Sequence, residues 1–199
     1  MLIIPKTQIA FETEEWLNKL KFKNHTDYDL KDNCSAIAVK SESGSVYDFY
    51  RTNPVEDPDD FKYTQLYYKV KEIREIVDYF NFLETTRVRI HKTDPQQVID
   101  LHTDGNNDEA KTQEDYRLRI ITALNENEDF IYTYEFEGEQ QNILLEKGQS
   151  IIFDPDKVKH GLINNSKTKT RYALVQIFKA YPVHRELIQF INSNEIVIL

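Results

Sequence analysis

His102, Thr103 and Asp104 stand together in the chain, and His160 and Arg171 follow them. Two imidazoles and one carboxylate are the donor set of the 2-His-1-carboxylate facial triad, with which proteins hold Fe(II) for oxygen chemistry. In a strand, residues i and i+2 point to the same face. His102 and Asp104 can therefore reach one ion from one short segment. A third ligand must come from another strand, and His160 is placed to supply it. Such a triad caps one face of an octahedron and leaves three positions open. A 2-oxo acid can chelate through two of them, and O2 can take the third. Arg171 adds an anchor. A five-carbon 2-oxo acid carries a second carboxylate, which a rigid guanidinium fork can hold in bidentate fashion. Zinc and manganese accept the same donors, so the metal is left open by the residues alone.

Two more arginines lie on one predicted strand. Arg117 and Arg119 share a face of it, with Leu118, Ile120, Thr122 and Leu124 opposite. The apolar face is expected to pack on helices, and the arginine face to look into the mouth beside the metal ligands. Neighbouring guanidinium groups repel, and an anion between them relieves the repulsion. The expectation is a substrate bearing a carboxylate, a small molecule or a peptide, held by Arg117 with help from Arg119. The plain alternative is a solvated arginine face. Other chemistry finds no support. Cys34, the one cysteine, sits in no nucleophile context, there is no G-x-S-x-G, and five glycines leave no phosphate cradle. His25, His91 and His184 have no partner at ligand spacing.

The elements that must position these groups can be read from period and punctuation. Thr13-Glu14-Glu15-Trp16-Leu17 reads as a capped acidic first turn of a helix running to about Leu20. Cys34–Val39 and Val46–Tyr50 read as strands around a Ser43-Gly44-Ser45 turn. A Pro/Asp-rich loop spans Asn53 to Asp60. Thr64 to Phe80 reads as a helix with Thr64 as N-cap and Leu66, Val70, Ile73, Val77 and Phe80 as its buried stripe. From Thr85 the pattern is β. Val88 and Ile90 alternate with arginines, Asp94-Pro95 turns the chain, and Val98–Leu101 leads into His102. The polar segment Gly105–Glu114 reads as a lid beside the metal. Strands are expected at 117–124, 129–136, 141–146, 150–153, 160–164 and 171–179, with turns at Glu137-Gly138, Lys147-Gly148 and Pro155-Asp156. Tyr181-Pro182 precedes a last helix from His184 to about Asn192.

The run HTD…KHGLINNSKTKTRYALVQIF resembles the Fe(II)/2-oxoglutarate-dependent oxygenases, and within them the aspartyl/asparaginyl β-hydroxylase-like group, which includes proline hydroxylases. The resemblance spans about Thr85 to Phe178. RVRIHKTDPQQVIDLHTD is similar to the segment that delivers the family's H-x-D, and LLEKGQSIIFDPDKVKHGLINNS to its distal-histidine run. YRLRIITALN is similar to the R-x-H-x-P-L-x-T-N strand, with Arg117 and Asn125 matching. Arg119 stands where the family often has His, Ile121 where it often has Pro, and Thr122 and Leu124 also differ. The resemblance implies a mostly β (α+β) fold, a double-stranded β-helix (jelly roll, cupin-like) with flanking helices. It implies Fe(II), 2-oxoglutarate and O2, with metal ligands His102, Asp104 and His160 and cosubstrate anchor Arg171. The implied reaction is hydroxylation of an unactivated C–H of an amino acid or amino-acid side chain. A cupin-like metalloenzyme that does not use 2-oxoglutarate, or a catalytically silent jelly-roll binding module, stays open beside it.

Bulk properties bound the rest. A chain of 199 residues reads as one domain, with N-terminal strands and supporting helices over 1–84, the jelly-roll core over 85–180, and a C-terminal helix and tail over 181–199. Net charge is −9, whereas nucleic-acid binding relies on Lys/Arg against phosphates, so nucleic acid is not the expected partner. No apolar run approaches the ~20 residues of a membrane span. A start without a basic n-region and long apolar stretch gives no sign of a secretory signal. A single cysteine suits a reducing compartment, and the expected location is the cytoplasm. Oligomeric state is left open.

Overall fold

The described strands form two sheets, antiparallel throughout except for one parallel pair, Leu2–Ile4 with Val197–Ile198, at the edge of the larger. The computed structural model describes residues 2–4, 15–24, 34–48, 57–80, 84–104, 116–136, 138–180 and 197–198. In chain order the elements are β1 (Leu2–Ile4), α1 (Glu15–Asn18), β2 (Lys23–Asn24), β3 (Cys34–Ser41), β4 (Lys62–Tyr63), α2 (Gln65–Lys69) and α3 (Lys71–Tyr79). Then come β5 (Glu84–Thr93), β6 (Val98–His102), β7 (Tyr116–Ala123), β8 (Phe130–Phe136) and β9 (Glu139–Ile143). The last are β10 (Ser150–Phe153), β11 (Lys159–Asn164), β12 (Arg171–Ala180) and β13 (Val197–Ile198). The major sheet runs β13-β1-β10-β7-β12-β5-β3-β2, with β4 paired to β3, and the minor sheet runs β6-β11-β8-β9. This is the expected jelly roll.

The alternation of β7 and β12 sorts two cores. Leu118, Ile120 and Leu124 with Leu174 and Phe178 face outward, where Leu66, Ile73, Ile76, Val77 and Phe80 of the helical layer cover them. Ile121, Ala123, Ala173 and Val175 face inward, toward Phe130, Tyr132, Tyr134 and Ile143 of the minor sheet. Each fully buried side chain of this size stabilises by roughly 1.5–3 kcal/mol, so both interfaces hold the major sheet strongly. Arg117 and Arg119 are thus on the inward side of β7, as the sequence implies.

Three local expectations change. The helix predicted over 64–80 is two helices, because Val70 adopts an extended backbone (φ −111°, ψ 105°) between them. Thr64 does cap the first, its hydroxyl accepting from the Leu66 N–H at 3.2 Å. Val70 stays packed on the core, and Ile76 joins the stripe. Second, Val46–Asp48 is a turn, not a strand. Its backbone bonds are those of a turn: the Val46 carbonyl accepts from the Ala38 N–H of β3 at 2.8 Å, the Asp48 N–H donates to the Ser45 carbonyl at 3.2 Å, and the Tyr47 N–H donates to Ser45 Oγ at 3.3 Å. Gly44 takes the left-handed φ of 75° this turn requires. Third, β9 ends at Ile143, and the Leu145 carbonyl accepts from Arg171 rather than from a strand. The predicted lid at 105–114 and the predicted helix at 184–192 lie outside the described residues. No helix among the described residues is long and apolar enough to cross a membrane.

Candidate metal centre

β6 and β11 are antiparallel neighbours, and His102 and His160 are register partners across them. The ring centroids lie 4.6 Å apart. The register shifts immediately after, between His160 and Leu162, where Gly161 alone stands opposite Asp100 and Leu101 of β6. A Cβ at Gly161 would meet the Ile99 carbonyl oxygen at 2.7 Å and the Asp100–Leu101 peptide at 3.1 Å. Only glycine lets β6 approach this closely, and that approach sets the two imidazoles side by side, tilted 47° to each other. Bulges of this kind re-aim side chains beside sites.

Each imidazole is fixed through Nδ1. His102 Nδ1 lies 2.8 Å from the Asp100 carbonyl and His160 Nδ1 lies 3.1 Å from the Val158 carbonyl. A carbonyl can only accept, so each Nδ1 carries the hydrogen and each Nε2 presents its lone pair. This orientation by an outer partner is what metal-bound histidines require. Asp104 lies just past the end of β6 rather than within it. Its N–H donates to the Pro155 carbonyl at 3.0 Å, in the turn between β10 and β11. Asp104 Oδ1 stands 3.6 Å from His102 Nε2 and 3.5 Å from His160 Nε2. Two donors on one ion stand at most about 4.2 Å apart, twice a bond of ~2.1 Å. Each imidazole–carboxylate pair meets that limit. Among the described residues these three are the group whose ligand atoms, all within 4.8 Å of one another, could hold a metal ion. The donor set therefore fits a divalent cation.

Protonation states agree. Burial pushes Asp104 up, but the Arg119 charge together with His160 and His102 outweighs it and holds the carboxyl well below the ordinary carboxylate range. Burial lowers His160 below its usual value; its bond to Asp104 opposes this, and the Arg119 charge adds to it. An ionised carboxylate and a neutral imidazole are the forms a metal binds. Apolar and aromatic walls surround His160. Phe153 packs on its ring at 5.0 Å, and Tyr134 packs on Phe153 at 5.1 Å. The Tyr134 hydroxyl is buried with no hydrogen-bond partner among the described residues.

The arginines are placed in three different ways. Arg119, 7% exposed, turns its fork onto the triad itself. One terminal nitrogen donates to Asp104 Oδ2, and the other lies 2.7 Å from His160 Nε2. Arg117 is paired within the chain: Nε donates to Asp156 Oδ2 at 3.1 Å and a terminal nitrogen donates to Oδ1. A carboxylate does meet Arg117, and it belongs to the same turn whose Pro155 carbonyl holds Asp104. Arg171 is 1% exposed and inward-facing. Its terminal nitrogens donate to the Asn125 carbonyl and, at 2.8 Å, to the Leu145 carbonyl, and it stacks 5.3 Å over Phe130. Nε has no partner, and no carboxylate pairs with this side chain among the described residues. Asn125 fixes it from both sides, donating to the Thr170 carbonyl and accepting from the Tyr172 N–H, each at 2.8 Å.

Sequence reasoning missed Gly161, Asp156 and the placement of Arg119. Gly161 carried a signal, since glycine inside a strand marks a bulge or a close backbone approach. Asp156 carried none beyond its place in a turn.

No protein-family model matches the chain, and no curated protein matches it. Among solved structures it is similar to a 2OG-Fe(II) oxygenase family oxidoreductase from Burkholderia pseudomallei, with TM-score 0.53 at 14% identity over 83% of this chain and 76% of that one. More partial likenesses are a prolyl-4-hydroxylase from Pseudomonas putida (TM-score 0.38, 16% identity, 54% of this chain and 61% of that one) and the CENP-C cupin domain of Drosophila melanogaster (0.32, 14%, 47% and 59%). At the first of these levels the likeness shows a shared jelly-roll fold.

Proposed function

We propose that this protein is an Fe(II)- and 2-oxoglutarate-dependent dioxygenase that hydroxylates an unactivated C–H of an amino acid or amino-acid side chain. The register pairing of His102 with His160, with both Nε2 atoms presented to Asp104 Oδ1, carries the reading. His102, Asp104 and His160 would hold the iron. Arg171 would hold the distal carboxylate of 2-oxoglutarate, because a buried guanidinium without an anion calls for one. When bound, the iron and 2-oxoglutarate would supply the electrons that activate O2 for attack on the C–H bond.

The chain's own residues do the rest. The Asp100 and Val158 carbonyls keep the imidazoles in the ligating tautomer. Phe153 and Tyr134 exclude water from the His160 side. The Arg117–Asp156 pair braces the turn that tethers Asp104. The substrate is read as a small molecule or peptide bearing a carboxylate. With Arg117 engaged by Asp156, Arg119 is the guanidinium that stands at the triad.

One observation favours a second reading. The fork of Arg119 already pairs with Asp104 and His160, as a permanent internal cation would in a jelly-roll binding module without turnover. The test is 2-oxoglutarate consumption by purified protein with Fe(II), ascorbate and O2 but no added substrate, followed by NMR. Loss that disappears in His160→Ala supports the dioxygenase. Metal retention without 2-oxoglutarate binding points to a cupin-like metalloenzyme of another kind. Neither metal nor cosubstrate binding supports the silent module.

A further inference from the structure

The His160 Nε2 lone pair has two claimants. The Val158 carbonyl takes the Nδ1 hydrogen, which leaves Nε2 as an acceptor. A terminal nitrogen of Arg119 sits 2.7 Å from it. A metal on His160 needs the same lone pair, and one lone pair cannot serve both. Asp104 is different, because its two oxygens are divided. Oδ1 faces both imidazoles, while Oδ2 receives the other terminal nitrogen of Arg119. Arg119 itself is buried, lies 5.8 Å over the Phe153 ring, and leaves its Nε without a partner among the described residues.

We infer that Arg119 is a built-in counter-ion of the triad that competes with the metal for His160. It neutralises the Asp104 carboxylate and links it to His160 when no metal is bound. Metal binding requires the nitrogen on His160 to swing away, whereas the contact to Asp104 Oδ2 can persist and keep Oδ1 aimed at the metal. This rests on the proposed metal centre. Two consequences oppose each other in any Arg119 variant. Removing the guanidinium frees the lone pair and removes a positive charge beside a dication, which tightens metal binding. It also removes a bond that orients Asp104, which loosens it. The first dominates, because the backbone bond to Pro155 still tethers Asp104.

The experiment titrates Co(II) anaerobically into chelator-stripped wild-type, Arg119→Ala and Arg119→Gln proteins by calorimetry, with thermal melts in chelator and in Co(II). Both variants are expected to bind Co(II) about tenfold or more tightly than wild type. Both should melt lower than wild type in chelator and gain more from the metal. Arg119→Gln is the neutral variant that retains side-chain volume if Arg119→Ala does not fold. His160→Ala in the same backgrounds should lose the binding. Wild-type protein that binds Co(II) as tightly as, or more tightly than, both variants overturns the competition and leaves the metal centre standing. Absence of Co(II) binding in all three proteins at millimolar concentration overturns the metal centre itself.

Discussion

Gly161 and Ile99 approach so closely that a single added carbon at Gly161 would lie 2.7 Å from the Ile99 carbonyl oxygen. The two residues sit at the bulge that follows the His102–His160 pair. Gly161→Ala must therefore push β6 away from β11 by moving backbone, not a pliable side chain. Overpacking of this kind costs about 1–3 kcal/mol. The informative outcome is a loss of Co(II) affinity larger than the modest fall in unfolding free energy, measured by calorimetry and urea denaturation. Unchanged affinity would show that the bulge does not set the imidazoles.

The three ligands should act as a unit. Asp104→Ala and His160→Ala are each expected to lower iron retention after dialysis and to abolish turnover, since each removes one of three donors. Iron content by elemental analysis checks this. Full retention with normal rate in both variants would remove the triad from consideration.

Arg171 has a structural and a ligand-binding side. Arg171→Ala leaves the Asn125 and Leu145 carbonyls without their buried donor, at about 1–3 kcal/mol each. A marked fall in melting temperature is expected. Below that temperature, 2-oxoglutarate affinity should drop by roughly tens- to thousands-fold with metal binding kept. A cosubstrate titration that matches wild type would place the anchor elsewhere.

The Arg117–Asp156 pair is mostly shielded from water and bidentate. A double-mutant cycle with Arg117→Ala and Asp156→Ala should return a coupling of about 0.5–3 kcal/mol. Both single variants should loosen Co(II) binding through the turn that holds Asp104. Additive effects would mean the pair contributes no coupling and does not brace the turn.

Asp154 gives a pH test. Burial raises its pKa, with the Asp156 charge adding to this against the N–H groups of Asp156 and Lys157 and the Lys157 charge. A carboxyl whose folded pKa is raised binds its proton more tightly in the native state. Its contribution is thus favourable at low pH and is lost as pH rises through the folded value. Asp154→Asn keeps an acceptor for the Asp156 N–H and removes the charge. It should raise the melting temperature at pH 7, with the gain vanishing below the ordinary carboxylate range. Equal gain at both pH values would contradict the assignment.

Much of this molecule was legible because strand burial is a local signal. The alternation in 117–124 and 171–179 sorts outward Leu118 and Leu174 from inward Arg119 and Arg171 without knowledge of any partner. Thr64 was legible as a cap because its bond reaches only to Leu66. The Val70 break was not, since an apolar stripe reads the same whether its helix is continuous or bent. Nor were the partners of Arg117 and Arg119. Asp156 and Asp104 are brought to them by sheet pairing, and spacing along the chain carries no trace of that. The same blindness hid the split use of the two arginines, one bracing a turn and the other lying on the triad.

His102 and His160 belong to the minor sheet, while Arg119 and Arg171 project from the major one. A ligand gripped at once by the histidines and by Arg171 would act as a further rivet between two layers already linked by the Arg119–His160 and Asn164–Thr93 contacts. Breathing of the minor sheet away from the major one would become the slowest opening of the loaded protein. Amide exchange in β8 is where that rivet would register, in a strand that supplies none of the three ligands.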